Sequence, residues 1–218
     1  FARRQSLEPR DVNVTAGAFN GTNIVFLNSA DASFSAIRSS ISGAGLRGVL
    51  APSGGSINIA QSSIANNAGG GISISNGSLS IAQSSIANNA GGGIDIIGSE
   101  FDITNNMIFL NGNGGVQVGG MLINGIVSAA GTHRVAHNTI VDNVASGASG
   151  IRCGDLDVSL SFTSNIMVSD NSNTDISGAD CEHHFSLFEQ GTPAAGSANN
   201  LVGMDPSFMD RGTQDYRL

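Results

Sequence analysis

Residues 59–72, Ile-Ala-Gln-Ser-Ser-Ile-Ala-Asn-Asn-Ala-Gly-Gly-Gly-Ile, recur without a change at 81–94. A unit repeated this faithfully at an offset of 22 residues is the mark of a solenoid, in which each repeat stacks on the last and buries a shared core. Within the unit, Ile57-Asn-Ile59 and Ile72-Ser-Ile74 alternate apolar with polar, the period of a strand with one buried face. Between them, Asn66-Asn67-Ala68-Gly69-Gly70-Gly71 has the composition of a turn. Short strands and turns within about 22 residues predict one rung of a right-handed parallel β-helix.

The register extends both ways. Phe34 to Ile41 lies over Ile57 to Ile64, and Val12 and Val14 precede Phe34 and Ala36. Forward, Phe101-Asp-Ile103 follows Leu79-Ser-Ile81, and Gly115-Val-Gln-Val118 falls on Gly93-Ile-Asp-Ile96. Val135 lies 32 residues after Ile103, so ten extra residues enter this rung, placed as a folded loop insertion at 119–131. The expected organisation is all-β and single-domain, with an N-terminal arm or cap at 1–11, a helix of about eight rungs at 12–190 and an irregular segment at 191–218. At a strand spacing of about 4.8 Å such a rod is roughly 35–40 Å long.

Three inward columns follow. One is Val14, Ala36, Ile59, Ile81, Ile103, Val135 and Phe162, another is Ile41, Ile64, Ile86, Ile108 and Ile140, and the third is Ile24, Val49, Ile72, Ile94, Val116 and Ile151. Asn67, Asn89, Asn111 and Asn143 take one turn position in four successive rungs, where stacked amides can hydrogen-bond into a ladder. Asp102 and Arg134 hold the same outward position in neighbouring rungs and should form an ion pair. Cys153 and Cys181, in neighbouring rungs, are expected to form a disulfide, the alternative being two buried thiols.

The outward column beside the Gly-Ile strands reads Val25, Leu50, Ser73, Asp95, Gln117 and Arg152. β-Helices carry polysaccharide lyases and hydrolases that work from such a column, with a Lys or Arg base beside carboxylates. Asp95, Gln117 and Arg152 are therefore the candidate catalytic set. Only Asp95 and Arg152 qualify as acid and base, they are two rungs apart, and the set lacks the acid pair of an inverting hydrolase, so a non-catalytic protein is favoured. His133 and His137 flank Val135 but belong to different columns, and no metal or cofactor is implied.

Net charge is −8 and the chain has no Lys, which argues against a nucleic-acid partner. No apolar run reaches the ~18 residues of a membrane span. A surface of Ser, Asn, Thr and Gly points to an extracellular or bacterial cell-surface location. The charge is unevenly spread: residues 1–94 hold five Arg against three acids, and residues 95–218 hold fourteen acids against four Arg. Arg3, Arg4 and Arg10 at one end and Asp175, Asp180 and Glu182 at the other predict head-to-tail self-association.

Asn138-Thr-Ile-Val-Asp-Asn143, Asn165-Ile-Met-Val168, Phe185-Ser-Leu-Phe-Glu189, Asp205-Pro-Ser-Phe208 and Asp215-Tyr-Arg-Leu218 resemble the phrases of bacterial right-handed β-helix surface proteins of the choice-of-anchor Q type. The resemblance implies a secreted or surface-anchored protein with no catalytic motif to carry over.

Overall fold

A computed structural model describes residues 6–7, 13–19, 22–125, 133–154, 159–169 and 174–216. The expected β-helix is present: three parallel sheets form a β-solenoid of about six turns, roughly 23 residues each. That is slightly fewer than eight rungs, because the strands at the ends, such as Val25–Phe26 and Leu201–Val202, are two residues long and close no full turn. Among the described residues the sheets hold eight, nine and seven strands.

The first sheet runs through Ser33–Ile37, Ser56–Ala60, Ser78–Ala82, Glu100–Thr104 and His133–Ala136 to Cys181–His184. The second begins at Asn13–Phe19 and ends at Leu201–Val202, and the third runs from Val25–Phe26 to Thr174–Ser177. Alternation dictates the layout: in Ser78–Ala82 the odd positions Leu79 and Ile81 are buried while their neighbours are only partly so. Ala36, Ile59, Ile81, Ile103 and Val135 stack in register in the first sheet, and Ile41, Ile64, Ile86, Ile108 and Ile140 in the second. One continuous apolar core runs from Leu27 to Phe188, each large aliphatic side chain contributing about 1.5–3 kcal/mol.

Three placements differ from the sequence register. Val14 pairs with Ile41, in the second sheet, rather than preceding Ala36 in the first. The expected arm contributes Ser6–Leu7, paired with Ser33 and Phe34 in the first sheet. The third column is Val25, Val49, Ile72, Ile94, Met121 and Ile151, so Ile24 and Val116 do not belong to it. The ten extra residues are split accordingly. Ile94 pairs with Met121 at an offset of 27, which puts half of the excess before Met121–Asn124 and half after it. That strand lies inside the stretch expected to be loop, and 126–132 fall outside the described residues. Gly115-Val-Gln-Val118 and Gly120-Met-Leu-Ile123 both have the right spacing. Burial selects the second, in which Met121 and Ile123 are both fully enclosed.

The glycine-rich phrase has two physical causes. Gly70 and Gly92 adopt φ of 125° and 101°, accessible to few residues with a side chain. Gly71 and Gly93 do not; a Cβ there would meet the carbonyl oxygen of the next rung at 2.5 Å and 2.6 Å. Gly48, Gly120 and Gly150 continue this column of close backbone approaches.

The segment after Gly203 turns back over the outer face of the second sheet. Tyr216 packs edge-on to Phe109 and Phe208 and joins Val141 and Val168 in a second apolar cluster. The landing patch is written into the sheet. Its outer positions are Ser63, Ala65, Ser85 and Ala87 in the middle rungs and become Met107, Phe109, Thr139 and Val141 where the tail lies. Val141, Ile166, Val168, Phe208 and Tyr216, drawn from four of the resembling phrases, thus meet in one cluster.

Candidate functional site

Corners set the geometry of everything displayed on the rod. Where the first sheet turns into the second, Arg38, Gln61, Gln83, Asn105, His137, Ser164 and Phe185 each adopt positive φ, between 46° and 58°. This left-handed residue turns the chain, and its side chain points outward. The following residue points inward and carries the corner's hydrogen bonds. Ser39 N–H donates to Ser62 Oγ (3.0 Å), Ser62 N–H to Ser84 Oγ (3.1 Å) and Ser84 N–H to Asn106 Oδ1 (2.9 Å). The ladder continues through Asn138, Asn165 and Ser186 to Asn200. Sequence reading missed it because its members change from Ser to Asn along the rod. The signal was the polar residue after each outward Gln, Asn or His.

The expected ladder occupies the second corner. Asn67 Nδ2 donates to Asn89 Oδ1 (2.8 Å), Asn89 Nδ2 to Asn111 Oδ1 (2.9 Å) and Asn111 Nδ2 to Asn143 Oδ1 (2.9 Å). All four are 0–1 % exposed. Each oxygen also accepts a backbone N–H from the rung before, and the amides of Asn89, Asn111 and Asn143 reach back to Ile64, Ile86 and Ile108 carbonyls. Buried turn groups are thereby satisfied without water.

The catalytic candidates are only partly brought together. Asp95 lies on the outer face of the third sheet, but its neighbours in register are Ser73 and Leu122. Gln117 is not in the column. It stands in the five-residue excess before Met121, which folds over the same face and delivers Gln117 Oε1 to Arg152 Nη1 at 2.9 Å. Arg152 pairs with Leu122, one rung beyond Asp95. Asp95 Oδ2 instead accepts from Ser73 Oγ (3.3 Å) and lies 3.4 Å from Arg47 Nη2, an arginine that sequence reading did not single out. Arg47, Asp95, Gln117, Leu122 and Val116 line a cavity of about 130 Å³. The arrangement is two separate polar pairs at a small pocket. Arg47 is the arginine that lines it and could meet an anion or hydroxyl there, and Asp95 is the one carboxylate in its lining, so it presents no pair of carboxylates across a reacting bond.

Arg134 Nε and Nη2 donate to the two Asp102 oxygens, both at 2.7 Å, a bidentate pair one rung apart. The hydrogen bond and charge of Asp102 raise the Arg134 pKa further above its ordinary value. Cys153 and Cys181 form a disulfide with Cα atoms 5.9 Å apart, both inward-facing, clipping one turn to the next. His133 packs on Phe101, whereas exposed His137 belongs to the outward corner column. Among the described residues no three of His, Cys, Asp and Glu gather as metal ligands, and no helix is long and apolar enough to cross a membrane.

Of the residues expected to drive assembly, Arg3, Arg4 and Arg10 lie outside the described residues. Asp180 and Glu182 are half-buried, with Glu182 3.5 Å from His184 Nε2. Asp175 is not a surface charge at all. It is fully buried, accepting from Ser169 Oγ (2.9 Å) and from Gln190 N–H (2.7 Å), and desolvation pushes its pKa up to about 6. Nearby, buried His183 sits against Phe162 and Phe188, and desolvation, then the charge of His184, lowers it to about 4. His183 stands in register with inward Phe162, whereas Asp175 adjoins Ile176, which continues the third aliphatic column from Ile151.

Comparison with models of known protein families, with curated proteins and with solved structures finds no match to this chain.

Proposed function

We propose that this chain is a non-catalytic structural protein of the bacterial cell surface or extracellular space, a stiff rod that associates head-to-tail into fibres. The observation that carries the reading is the pair of internal ladders. One links every rung from Ser39 to Asn200 and the other links Asn67 to Asn143, so successive rungs are tied by side chains as well as by strands. Such a design spends its polar residues on axial cohesion. The resemblance of the C-terminal phrases to β-helix surface proteins of the choice-of-anchor Q type supports the location, and the polarity of charge along the sequence supports head-to-tail order. Imaging of the purified protein by negative-stain electron microscopy tests it. Filaments are expected; particles that stay single rods at high concentration and low salt would overturn the reading.

A second reading, a secreted protein that binds or cleaves an acidic polysaccharide, is favoured by one feature. Arg47 lines the pocket with Asp95 and Gln117, Arg152 hydrogen-bonds Gln117 from outside its lining, and guanidinium groups suit a uronate carboxylate. Incubation with a panel of uronate polymers tests it: bound polymer or unsaturated ends would support it, and neither would remove it.

A further inference from the structure

The second sheet ends on an open strand. Leu201 and Gly203 donate their N–H groups back to Ser186 O (2.9 Å) and Phe188 O (3.0 Å). In the alternating pattern of a parallel strand, the N–H and C=O of the residue between them, Val202, therefore point away from the body. No described strand pairs on that side, and the chain beyond Gly203 turns back over the outer face instead.

Exposed apolar side chains lie on this strand, in the segment that follows it and one rung before it. Leu201 is 56 % exposed, Val202 49 %, Met204 51 % and Met209 68 %, and Phe185, one rung before, is 66 % exposed. Phe185 is also held at φ 50°, a conformation unfavourable for an aromatic residue. Five of the nine large apolar side chains exposed among the described residues thus lie in the last rungs and the segment after them. An unpaired strand bearing exposed apolar residues is a template for another strand.

We infer that the occupant is the first strand of the same sheet, Asn13–Phe19, of a second copy, added in parallel to Leu201–Val202. This rests on the end-to-end reading above and makes it specific. Asn13–Phe19 is the longest strand of the second sheet and stands at its opposite end, paired on one side with Ser40–Ala44. Every strand in the sheet runs in the same direction, so a copy translated along the axis presents this strand parallel to Val202. Charge selects the same order: Arg3, Arg4 and Arg10 neighbour that strand in sequence, while Asp180, Glu182, Glu189, Asp205 and Asp210 accompany the open edge. Stacking two acidic ends would oppose them. The contact is heterologous and propagates when no rotation closes it. The strand edge supplies the bond, and the arginines set its polarity.

Sedimentation velocity and negative-stain imaging of the full chain test this with Val202→Pro, Val202→Glu and a variant with Arg3, Arg4 and Arg10 changed to Glu. Val202→Pro removes an N–H that no bond among the described residues uses. Val202→Glu adds charge that an electrostatic arm would tolerate but an apolar edge would not. Both are expected to raise the concentration needed for filaments at least about tenfold, a loss of about 1.4 kcal/mol per contact, with circular dichroism unchanged. The arginine variant is expected to weaken assembly chiefly at low salt. Should Val202→Pro misfold, Val202→Glu decides. Filaments of unchanged length from a folded Val202 variant would overturn the strand pairing and leave end-to-end association standing, whereas a wild type that never assembles would overturn both.

Discussion

Arg211 grips Asp142 across 69 residues of sequence, its Nε 2.9 Å from Oδ1, and Tyr216 donates its hydroxyl to Oδ2 of the same carboxylate at 3.1 Å. Asp142 stands at a corner with φ 53°, which turns its side chain outward to where the returning tail passes. The contact locks the tail onto the apolar patch of Phe109, Val141 and Val168. Asp142→Ala should free the tail, lowering stability by about 1–3 kcal/mol. Limited trypsin digestion checks it: cleavage after Arg211 is expected at least several-fold faster than in wild type, and an unchanged rate would show that apolar packing alone holds the tail.

The middle of the asparagine ladder should be its most sensitive point. Asn111 donates to Ile86 O and Asn143 Oδ1 and accepts from Asn89. Asn111→Ala orphans those partners in a dry corner, at a cost of about 2–4 kcal/mol. Urea unfolding measures it, and a loss below about 1 kcal/mol would place the ladder with ordinary surface contacts.

Gly93→Ala should be costly for a reason unrelated to backbone freedom. The added methyl meets Gly120 O at 2.6 Å and Asn111 Nδ2 at 3.2 Å, so two rungs must separate locally. A loss of about 3 kcal/mol is expected. Gly114→Ala, in the inserted segment with nothing near its Cβ, is the control and should be near neutral in thermal unfolding.

The disulfide closes a separation of 28 residues. In the chain-entropy account this restrains the unfolded chain by about 3–4 kcal/mol. Changing both cysteines to Ser should lower the urea midpoint accordingly. A mass about two units lower than that of the reduced chain would establish the bond directly.

Acid stability should reflect two buried groups with opposing slopes. Asp175, pushed up to about 6, holds its proton more tightly folded than unfolded, where an aspartate titrates near ~3.9. Its contribution is full below about pH 4 and is lost as the pH rises to about 6. His183, held down near 4, titrates near ~6.5 when unfolded. Its contribution is present above that and is lost as the pH falls towards 4. Relative to wild type, Asp175→Asn should steepen the loss on acidification from pH 6 to 4 by about 1 kcal/mol per pH unit, and His183→Gln should reverse it. Urea midpoints across that range check both, and parallel pH profiles for all three proteins would remove these groups as the cause.

The sequence by itself determined the solenoid, the two aliphatic columns through Ile59 and Ile64, the ladder from Asn67 to Asn143 and the Asp102–Arg134 pair. In a parallel stack, a residue's neighbours are the residues one period away, so an exact repeat is already a contact map. Only the tertiary structure decided what the period does not encode. Two Gly-apolar-x-apolar phrases competed for one strand, and the burial of Met121 and Ile123 settled it, which moved Gln117 from the column to the loop that meets Arg152. The first corner's ladder keeps a hydrogen-bonding role while its residues change from Ser84 to Asn106, so identity could not reveal it. By alternation Asp175 counts as a surface charge, because it adjoins Ile176, the inward apolar member of its strand. Near the end of the rod the inward face holds His183, in register with Phe162, and Asp175 is enclosed by Ser169 and Gln190, so only the packing shows that both are buried. The clamp of Arg211 on Asp142 joins elements with no shared period, and its specificity comes from the corner at which the tail crosses the sheet.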